Sequence, residues 1–353
     1  MRILHVTEAA EYGVLRHIAL VSGEMSRLGH QCRILLYGSR IDANVAMPCP
    51  AIVHPQSGNR LKNLLDSINA IRKACFDFKP DIIHLHAFAA GVAGRLAFKN
   101  CVYSPHAFAV HKSIPLPVRM TVNFMERLLR RRTGAYALVS ASEHDAALSM
   151  GLPLSKLHIF SNGLPDGFPG TLYARDESRR KLDEQYPGIF SWDGKVGIFP
   201  GRLYLQKHPE AVIAALSSLG TAAPRVVFCG DGPLLGSLKN CSLSSVFFTG
   251  RIPELWRYLR AFDFAVMPSL YEGHSYSYLE CLAAGLPIAT TTANIGVGEE
   301  IPEGVLLFNP CNVEELAAAI RQASQLPHLT RDAGAYSLQR QVMGLLKLYS
   351  EIR

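Results

Sequence analysis

The stretch FAVMPSLYEGHSYSYLECLAAGLPIATT, residues 264–291, decides the fold. Four apolar residues, Phe264 to Met267, read as a buried strand, and Pro268 to Gly273 as a loop. Ser275 to Ala284 has helical spacing, and Gly285 can take the left-handed conformation that stops a helix. A second apolar run, Ile288 to Thr291, follows. The stretch keeps two carboxylates with seven residues between them. Glu272 lies in the loop ahead of the helix N-terminus, and Glu280 lies almost two turns inside. A helix start attracts anions, and a carboxylate beside it can accept hydrogen bonds from sugar or ribose hydroxyls. A surface helix acid and an ordinary loop acid fit the same spacing.

The same alternation runs through the chain. After it come or before it stand KVGIFPGR, RVVFCGDG, SVFFTGR and GVLLFNP, each an apolar run leading into a turn. Earlier strand candidates are Ile3–Thr7, Gln31–Tyr37, Ile82–Leu85, Val102–Ser104, Ala137–Ser140 and His158–Phe160. Amphipathic segments such as VLRHIALVSGEMSRLGH and RLKNLLDSINAIRKACFDF separate them. Strands alternating with helices point to parallel, doubly wound sheets. The length of 353 residues suggests two domains. SNGLPDGFPG, from residue 161, breaks the pattern. The expected division is 1–165, a linker over 166–194, and 195–335. The last segment, AYSLQRQVMGLLKLYSEIR, reads as an amphipathic helix.

Ligands of open parallel sheets sit beyond the carboxyl ends of the strands, so the loops there carry the chemistry. Arg202 and Lys207 follow VGIFP; a guanidinium fork and an ammonium five residues apart suit a diphosphate. An exposed cationic loop is the plainer alternative. Gly230-Asp231-Gly232-Pro233 either lets a ligand approach the backbone or is an ordinary turn. His84 and His86 share one face of a strand, and His106 starts a loop. Three histidines could ligate a metal. With no Asp-x-Asp pair and no clustered cysteines, a hydrogen-bonding role for His106 is expected, and no metal.

Bulk composition narrows the class. The chain is 48% hydrophobic and 18% charged, as a well-packed globular protein is. No apolar run is long enough to span a bilayer. MRILHVTEAAEYG reads as a first strand and not a signal peptide. Eight cysteines without a C-x-x-C pair suit a reduced, cytosolic interior. The net charge of +7 is uneven: residues 1–165 hold 19 Lys+Arg against 10 Asp+Glu, and residues 166–353 hold 17 against 19. The basic first half suggests an anionic partner. No recognition motif or aromatic-rich basic groove points to nucleic acid. Residues 118–134, VRMTVNFMERLLRRRTG, pair an apolar face with Arg119, Arg127, Arg130, Arg131 and Arg132. Such a segment can lie on an anionic bilayer or be a packed helix with a basic end.

Taken in order, these loops resemble glycosyltransferase family 4, retaining enzymes of the GT-B fold that use nucleotide-sugar donors. The resemblance covers nearly the whole chain, from MRILHVTEAAEYGVLRH through DIIHLHAFAAG, VYSPHAFA and SNGLP to GRLYLQKH, CGDGP, FTGRIPE and SLYEGHSYSYLE. It implies two Rossmann-like domains facing a central cleft, with the final helix, 336–353, crossing back to the first. It implies that Glu280 holds the ribose, Glu272 touches the transferred sugar, and Arg202 and Lys207 clamp the diphosphate. Gly13, Gly230 and His274 belong to the implied donor site. Backbone at Ser275 and Tyr276 adds N–H donors, and backbone at Arg251 and Ile252 receives the base. His106 matches the histidine near the reacting centre.

The implied reaction moves a hexose from a UDP or GDP sugar, with retention and without a metal or other cofactor. The implied acceptor is a lipid-diphosphate-linked or other glycan of surface-polysaccharide or O-antigen synthesis. The implied location is the cytoplasmic face of the inner membrane. Two departures stand out. The first loop, Glu11-Tyr12-Gly13, has one glycine where the family often has two, and His208 stands where it often has glycine. A nucleotide-sugar epimerase and an inactive sugar-nucleotide-binding protein on the same frame remain competing readings. A nicotinamide oxidoreductase lacks its G-x-G-x-x-G after the first strand.

Overall fold

The computed structural model describes residues 1–9, 12–38, 47–56, 59–110, 114–241, 243–295, 300–331 and 336–353. Of the loops quoted above, Ala10 and Glu11 of the first lie outside the described residues. The chain divides into two compact units, Met1–Pro165 with Tyr336–Arg353, and Asp166–Ala335.

The first unit is a seven-stranded sheet. Its strands are β1 (Arg2–Thr7), β2 (Gln31–Gly38), β3 (Ala51–Pro55), β4 (Ile82–His86), β5 (Cys101–Ser104), β6 (Thr133–Leu138) and β7 (Leu157–Ile159). They lie in the order β3-β2-β1-β4-β5-β6-β7, with every pairing parallel. Helices α1 (Tyr12–Arg27), α2 (Arg60–Phe78), α3 (Phe88–Ala97), α4 (Leu116–Leu129) and α5 (Ala141–Ser149) connect them. Strand alternation assigns the faces. Leu4 and Val6 pack with Ile71 of α2 and with Ala90 and Ala93 of α3. Ile3 packs the other way, with Val21 and Met25 of α1.

The second unit has six strands, β8 (Val196–Pro200), β9 (Arg225–Cys229), β10 (Val246–Phe248), β11 (Phe264–Met267), β12 (Ile288–Thr290) and β13 (Val305–Leu307). Their order is β10-β9-β8-β11-β12-β13. Its helices are α6 (Arg175–Gln185), α7 (Pro209–Leu219), the single turn α8 (Leu235–Leu238), α9 (Tyr276–Ala283) and α10 (Val313–Gln325). Phe199, Phe228, Phe264 and Val266 of the sheet pack with Val212 and Leu216 of α7 and with Leu316 and Ile320 of α10.

The last helix, α11 (Leu338–Ile352), counts with the first unit. Val342, Leu345 and Tyr349 join the cluster of Ile3 and Val21. The returning chain pairs backbone to backbone: Leu164 N–H donates to Tyr336 O at 2.8 Å, and Leu338 N–H to Leu164 O at 2.9 Å. Gly163 is required here, because a Cβ would stand 2.4 Å from Leu338 N.

Three boundaries depart from expectation. Residues 166–194, expected as a linker, belong to the second unit. There α6 is tied down by Arg175, whose Nη2 lies 2.7 Å from Asp263 Oδ1, and by Arg179, which donates to Ala261 O at 2.9 Å. Strand β3 was not anticipated; it is an edge strand with a mostly exposed surface, so no buried alternation marks it. The basic segment 118–134 is not one helix. The helix ends at Leu129, and Thr133-Gly134 already belong to β6, which moves that strand's start ahead of Ala137; Ser140 caps α5 instead.

Candidate functional sites

Both sheets reverse strand order once, between β1 and β4 and between β8 and β11. Such reversal points are where open parallel sheets bind ligands. The two sites are described separately.

In the second unit, the loops after β8 and β11 are stitched together. Leu270 N–H donates to Gln206 O at 2.9 Å, and Gln206 Nε2 donates to Tyr271 O at 2.9 Å. This brings Lys207 Nζ to 2.6 Å from Glu272 Oε1, with the side chains only 17% and 10% exposed. Arg202 is half-buried, its guanidinium 5.0 Å from the centre of the Tyr204 ring. Its charge acts on the Tyr271 phenol, which burial and Glu272 push up. Glu280 is buried on α9, so the surface-acid reading does not hold. His274, just ahead, is buried too, and desolvation lowers it to about 4. Helix α9 starts at Tyr276, after Ser275, with neither a side-chain cap nor an acid in its first turn. Such a start attracts anions.

The glycines of the CGDGP loop serve close backbone packing. A Cβ at Gly230 would stand 1.9 Å from Gly201 O, and one at Gly232 would stand 2.5 Å from Leu203 O. Leu203 N–H donates to Asp231 O at 2.9 Å. What approaches this backbone is the loop that carries Arg202. Arg251, exposed, and Ile252, buried, follow the edge strand β10, two strands away from β8. His208 has φ 52 and ψ 50, the left-handed conformation that glycine adopts without strain. That explains physically why glycine suits this position.

In the first unit the reversal point is lined by histidines. His5 lies on the Ile3 face of β1, and register pairs it with His84 of β4. Period-two alternation puts His84 and His86 on one face. His17 of α1 and His106 after β5 complete a group of five. Four are buried, and His106 is half-buried. His5 Nδ1 lies 3.0 Å from His86 Nε2, and His86 Nδ1 lies 3.0 Å from His106 Nε2. Ser104 Oγ donates to Ala137 O at 2.5 Å, so it accepts from His84 Nε2–H at 2.9 Å. His84 Nδ1 then accepts from the Tyr349 hydroxyl at 2.6 Å. His17 Nδ1–H donates to Asn162 Oδ1 at 2.9 Å, which also accepts from Gln341 Nε2 at 3.2 Å. The SNG motif thus orients His17 through Asn162 and admits the returning chain at Gly163.

All five rings are held neutral. Burial lowers His5 to about 3 and His17 to about 4, and holds His84, His86 and His106 well below the usual value. Neighbouring histidines add to each shift except that of His17. His106 and Ala107 are both left-handed, with φ 53 and 84. Glu143 of α5 fixes that turn: it accepts from Ala107 N–H and, at 2.9 Å, from Val139 N–H. Burial pushes its carboxyl up to about 7. Glu8 similarly accepts from Ala89 N–H at 2.6 Å and Ala90 N–H at 2.8 Å at the start of α3. Gly13 lies in the first turn of α1, and a Cβ there would meet nothing within 4 Å.

Sequence reasoning missed His5, His17, Glu8 and Glu143. The alternation of Ile3, His5 and Thr7 would have placed His5. Ser140-x-x-Glu143 is a local helix-start pattern; nothing local marks His17 or Glu8, whose partners lie up to 145 residues away.

Helix α4 is anchored by a fully buried ion pair. Arg95 Nη1 and Nη2 lie 2.7 and 2.9 Å from the Glu126 carboxylate, under the Tyr103 ring. Its outer face exposes Leu116, Met120, Phe124 and Leu128, every fourth residue. The arginines are not all free for a partner. Arg127 donates to Met150 O, Arg130 to Gly151 O, and Arg132 to Arg95 O and Leu96 O. Arg131 is exposed and Arg119 half-buried. Among the described residues, no helix is long and apolar enough to cross a membrane.

Comparison with known proteins places this geometry in a family. Residues 12–167 match the model of Glycosyltransferase Family 4, and residues 194–325 match that of Glycosyl transferases group 1. The putative glycosyltransferase EpsF of Bacillus subtilis is 32% identical over 292 residues, 78% of this chain and 73% of that protein. The chain belongs to glycosyltransferase family 4. The sulfoquinovosyl transferase SQD2 of Arabidopsis thaliana is 26% identical over 81% of this chain. An Escherichia coli UDP-Gal:alpha-D-GlcNAc-diphosphoundecaprenol alpha-1,3-galactosyltransferase is 25% identical over 66% of it. These matches span 56% and 62% of the two relatives' own lengths. The crystal structure of Anabaena Alr3699/HepE with UDP and glucose superposes with a TM-score of 0.79 at 16% identity, covering 99% of this chain and all of that one. The two parallel-sheet units have the GT-B fold.

Proposed function

We propose that this chain is a retaining glycosyltransferase that moves a hexose from a nucleoside-diphosphate sugar to a glycan acceptor and needs no metal to do so. The observation that carries the reading is the Lys207–Glu272 pair beside Arg202 at the β8/β11 reversal point. Without donor, each charge neutralises the other. A diphosphate draws Lys207 away, because phosphate oxygens offer it more charge than one carboxylate does. Glu272 is then released to accept hydrogen bonds from sugar hydroxyls. Arg202 and Lys207 together stabilise the negative charge that grows on the leaving nucleotide. Glu280 holds the ribose, and the first N–H groups of α9 with His274 complete the donor pocket. Gly230 belongs to the donor site, and backbone at Arg251 and Ile252 receives the base. In the first unit, Gly13 and His106 serve the donor. UDP bound to HepE and UDP-Gal used by the E. coli relative favour a uridine donor.

The same relative's diphosphoundecaprenol substrate favours a lipid-linked acceptor in surface-polysaccharide synthesis. The exposed stripe of α4 with Arg131 then rests on an anionic bilayer, holding the protein at the inner face of the membrane. Replacing Met120 and Phe124 by Ser is expected to reduce sedimentation with phosphatidylglycerol vesicles without altering the circular dichroism spectrum.

The central test is a thermal-shift series with UDP, GDP, ADP, dTDP and NAD, each with and without EDTA. A hundredfold excess over the dissociation constant stabilises by about 2.7 kcal/mol. A response to one nucleoside diphosphate that survives EDTA is expected. Proton NMR of the transfer product should then show the donor's anomeric configuration. Sugar rearrangement without an acceptor would instead favour an epimerase, and a response to NAD alone would end the transferase reading.

A further inference from the structure

We propose that His17, His86 and His106 form a binding site for a borderline transition-metal ion of the Zn2+ class. One nitrogen from each ring lies within 4.8 Å of the others. An all-imidazole set without a carboxylate suits zinc, copper or nickel rather than magnesium or calcium. His17 is pre-oriented as metal-bound histidines are. Its Nδ1–H is held by the Asn162 carbonyl at 2.9 Å, which assigns Nε2 as its ligand atom.

His86 Nδ1 and His106 Nε2, 3.0 Å apart, now share one proton. Two nitrogens on a tetrahedral zinc, each about 2.0–2.1 Å from it, stand about 3.3 Å apart. The ion therefore fits in place of that proton with a small opening, and the His17 ring closes by up to about 1.5 Å. The displaced proton has somewhere to go. His86 moves its proton from Nδ1 to Nε2 and donates to His5 Nδ1, and His5 moves its own proton to Nε2. No proton is released and every ring stays neutral. His5 Nε2 is buried without a hydrogen-bond partner, so it can take that proton without breaking a bond.

The neighbouring trio His5, His84 and His86 is no such site. Both nitrogens of His84 are committed, to Tyr349 and Ser104. Glu143 is no ligand either, since both its oxygens hold backbone N–H groups. Three ligands leave a tetrahedral ion one open position. Resting on the transferase reading, occupancy takes His106 away from the donor sugar, so the ion acts as an inhibitor of a reaction that needs no metal.

The test is titration of tag-free, full-length protein with Co2+, followed by its visible absorption bands, and with Zn2+ by calorimetry. One equivalent is expected, with binding at least tenfold weaker in His17→Gln and in His106→Gln. His54→Gln, on the edge strand β3, should bind as the parent does. His106 lies on a loop, so its variant keeps the test open if His17→Gln fails to fold. No binding at 100 micromolar ion, or binding indifferent to both substitutions, overturns the site. Transfer activity is a separate readout. Slowing that EDTA reverses supports the inhibitory role, and stoichiometric binding with undiminished transfer overturns that role while leaving the site in place.

Discussion

The two reversal points solve one problem with opposite chemistry. In the first unit the space between β1 and β4 is filled with five neutral imidazoles. In the second, the loops beyond β8 and β11 hold a lysine, an arginine and a carboxylate. Depth accounts for the difference. His5, His84 and His86 sit within strands, at 0% exposure, where an unpaired charge would cost several kcal/mol. Lys207 and Glu272 stand past the strand ends and keep some contact with water. Polar groups inside a sheet are therefore tolerated when they can be neutral and bonded to one another, and formal charges are kept for the loops.

Among the described residues the first unit holds an exception, and the largest expected effect tests it. Arg95 and Glu126 are charged and fully buried. Glu126→Ala strands the guanidinium and should cost about 3–5 kcal/mol in urea unfolding. A loss under 1 kcal/mol would mean that the pair is solvated and that depth does not govern. Lys207→Ala in the second unit should leave stability nearly unchanged. It should cut transfer about 100–1000-fold, as loss of one preorganised charge typically does. If it unfolded the protein instead, the two sites would not differ in kind.

Acid should separate the units further. A histidine with a depressed folded value stabilises above the unfolded value of 6.5, and that stability is lost as pH falls towards the folded value. For His5 and His17 the window runs from 6.5 down to about 3 and 4. Glu143, raised to about 7, opposes this between 7 and 4.5, since the folded form holds its proton there. Five rings against that carboxyl and the milder Glu8 leave a net loss. The second unit has His274 and the milder His328. Both tryptophans, Trp192 and Trp256, lie in the second unit. Between pH 6 and 4 the circular dichroism should therefore fall before the tryptophan emission shifts; coincident transitions would merge the two. The smallest effect concerns strain. His208→Gly relieves a left-handed non-glycine residue and should stabilise by about 1 kcal/mol against urea.

The charged site was more legible in the sequence than the neutral one. Arg202 and Lys207 fall in one short loop, and Glu272 and Glu280 in one loop and the helix it leads into, each after a strand that is a continuous apolar run. The Gln206–Tyr271 stitching that joins them follows from that adjacency. The histidine group draws on β1, α1, β4 and the loop after β5. Only His84 and His86 are near in sequence, and His17 needs Asn162 and Gln341 to be aimed. The linker expectation failed for a similar reason. Polar α6 looked like a spacer because its anchor, Asp263, lies more than 80 residues on. Strand β3 was missed because an exposed edge leaves no apolar pattern.

The pairing of α11 with the first unit has a consequence for synthesis. Tyr349, which bonds His84, and Gln341, which steadies Asn162, are made only after the whole of Asp166–Ala335. At about 5–20 residues per second, the nascent first sheet waits roughly ten to thirty seconds for its last helix. During that interval the face carrying Ile3 and Val102 has α1 but lacks the part of its cover that Val342, Leu345 and Tyr349 supply. A ribosome-bound chaperone that shelters apolar surface would find its substrate there, in a protein whose finished form conceals it.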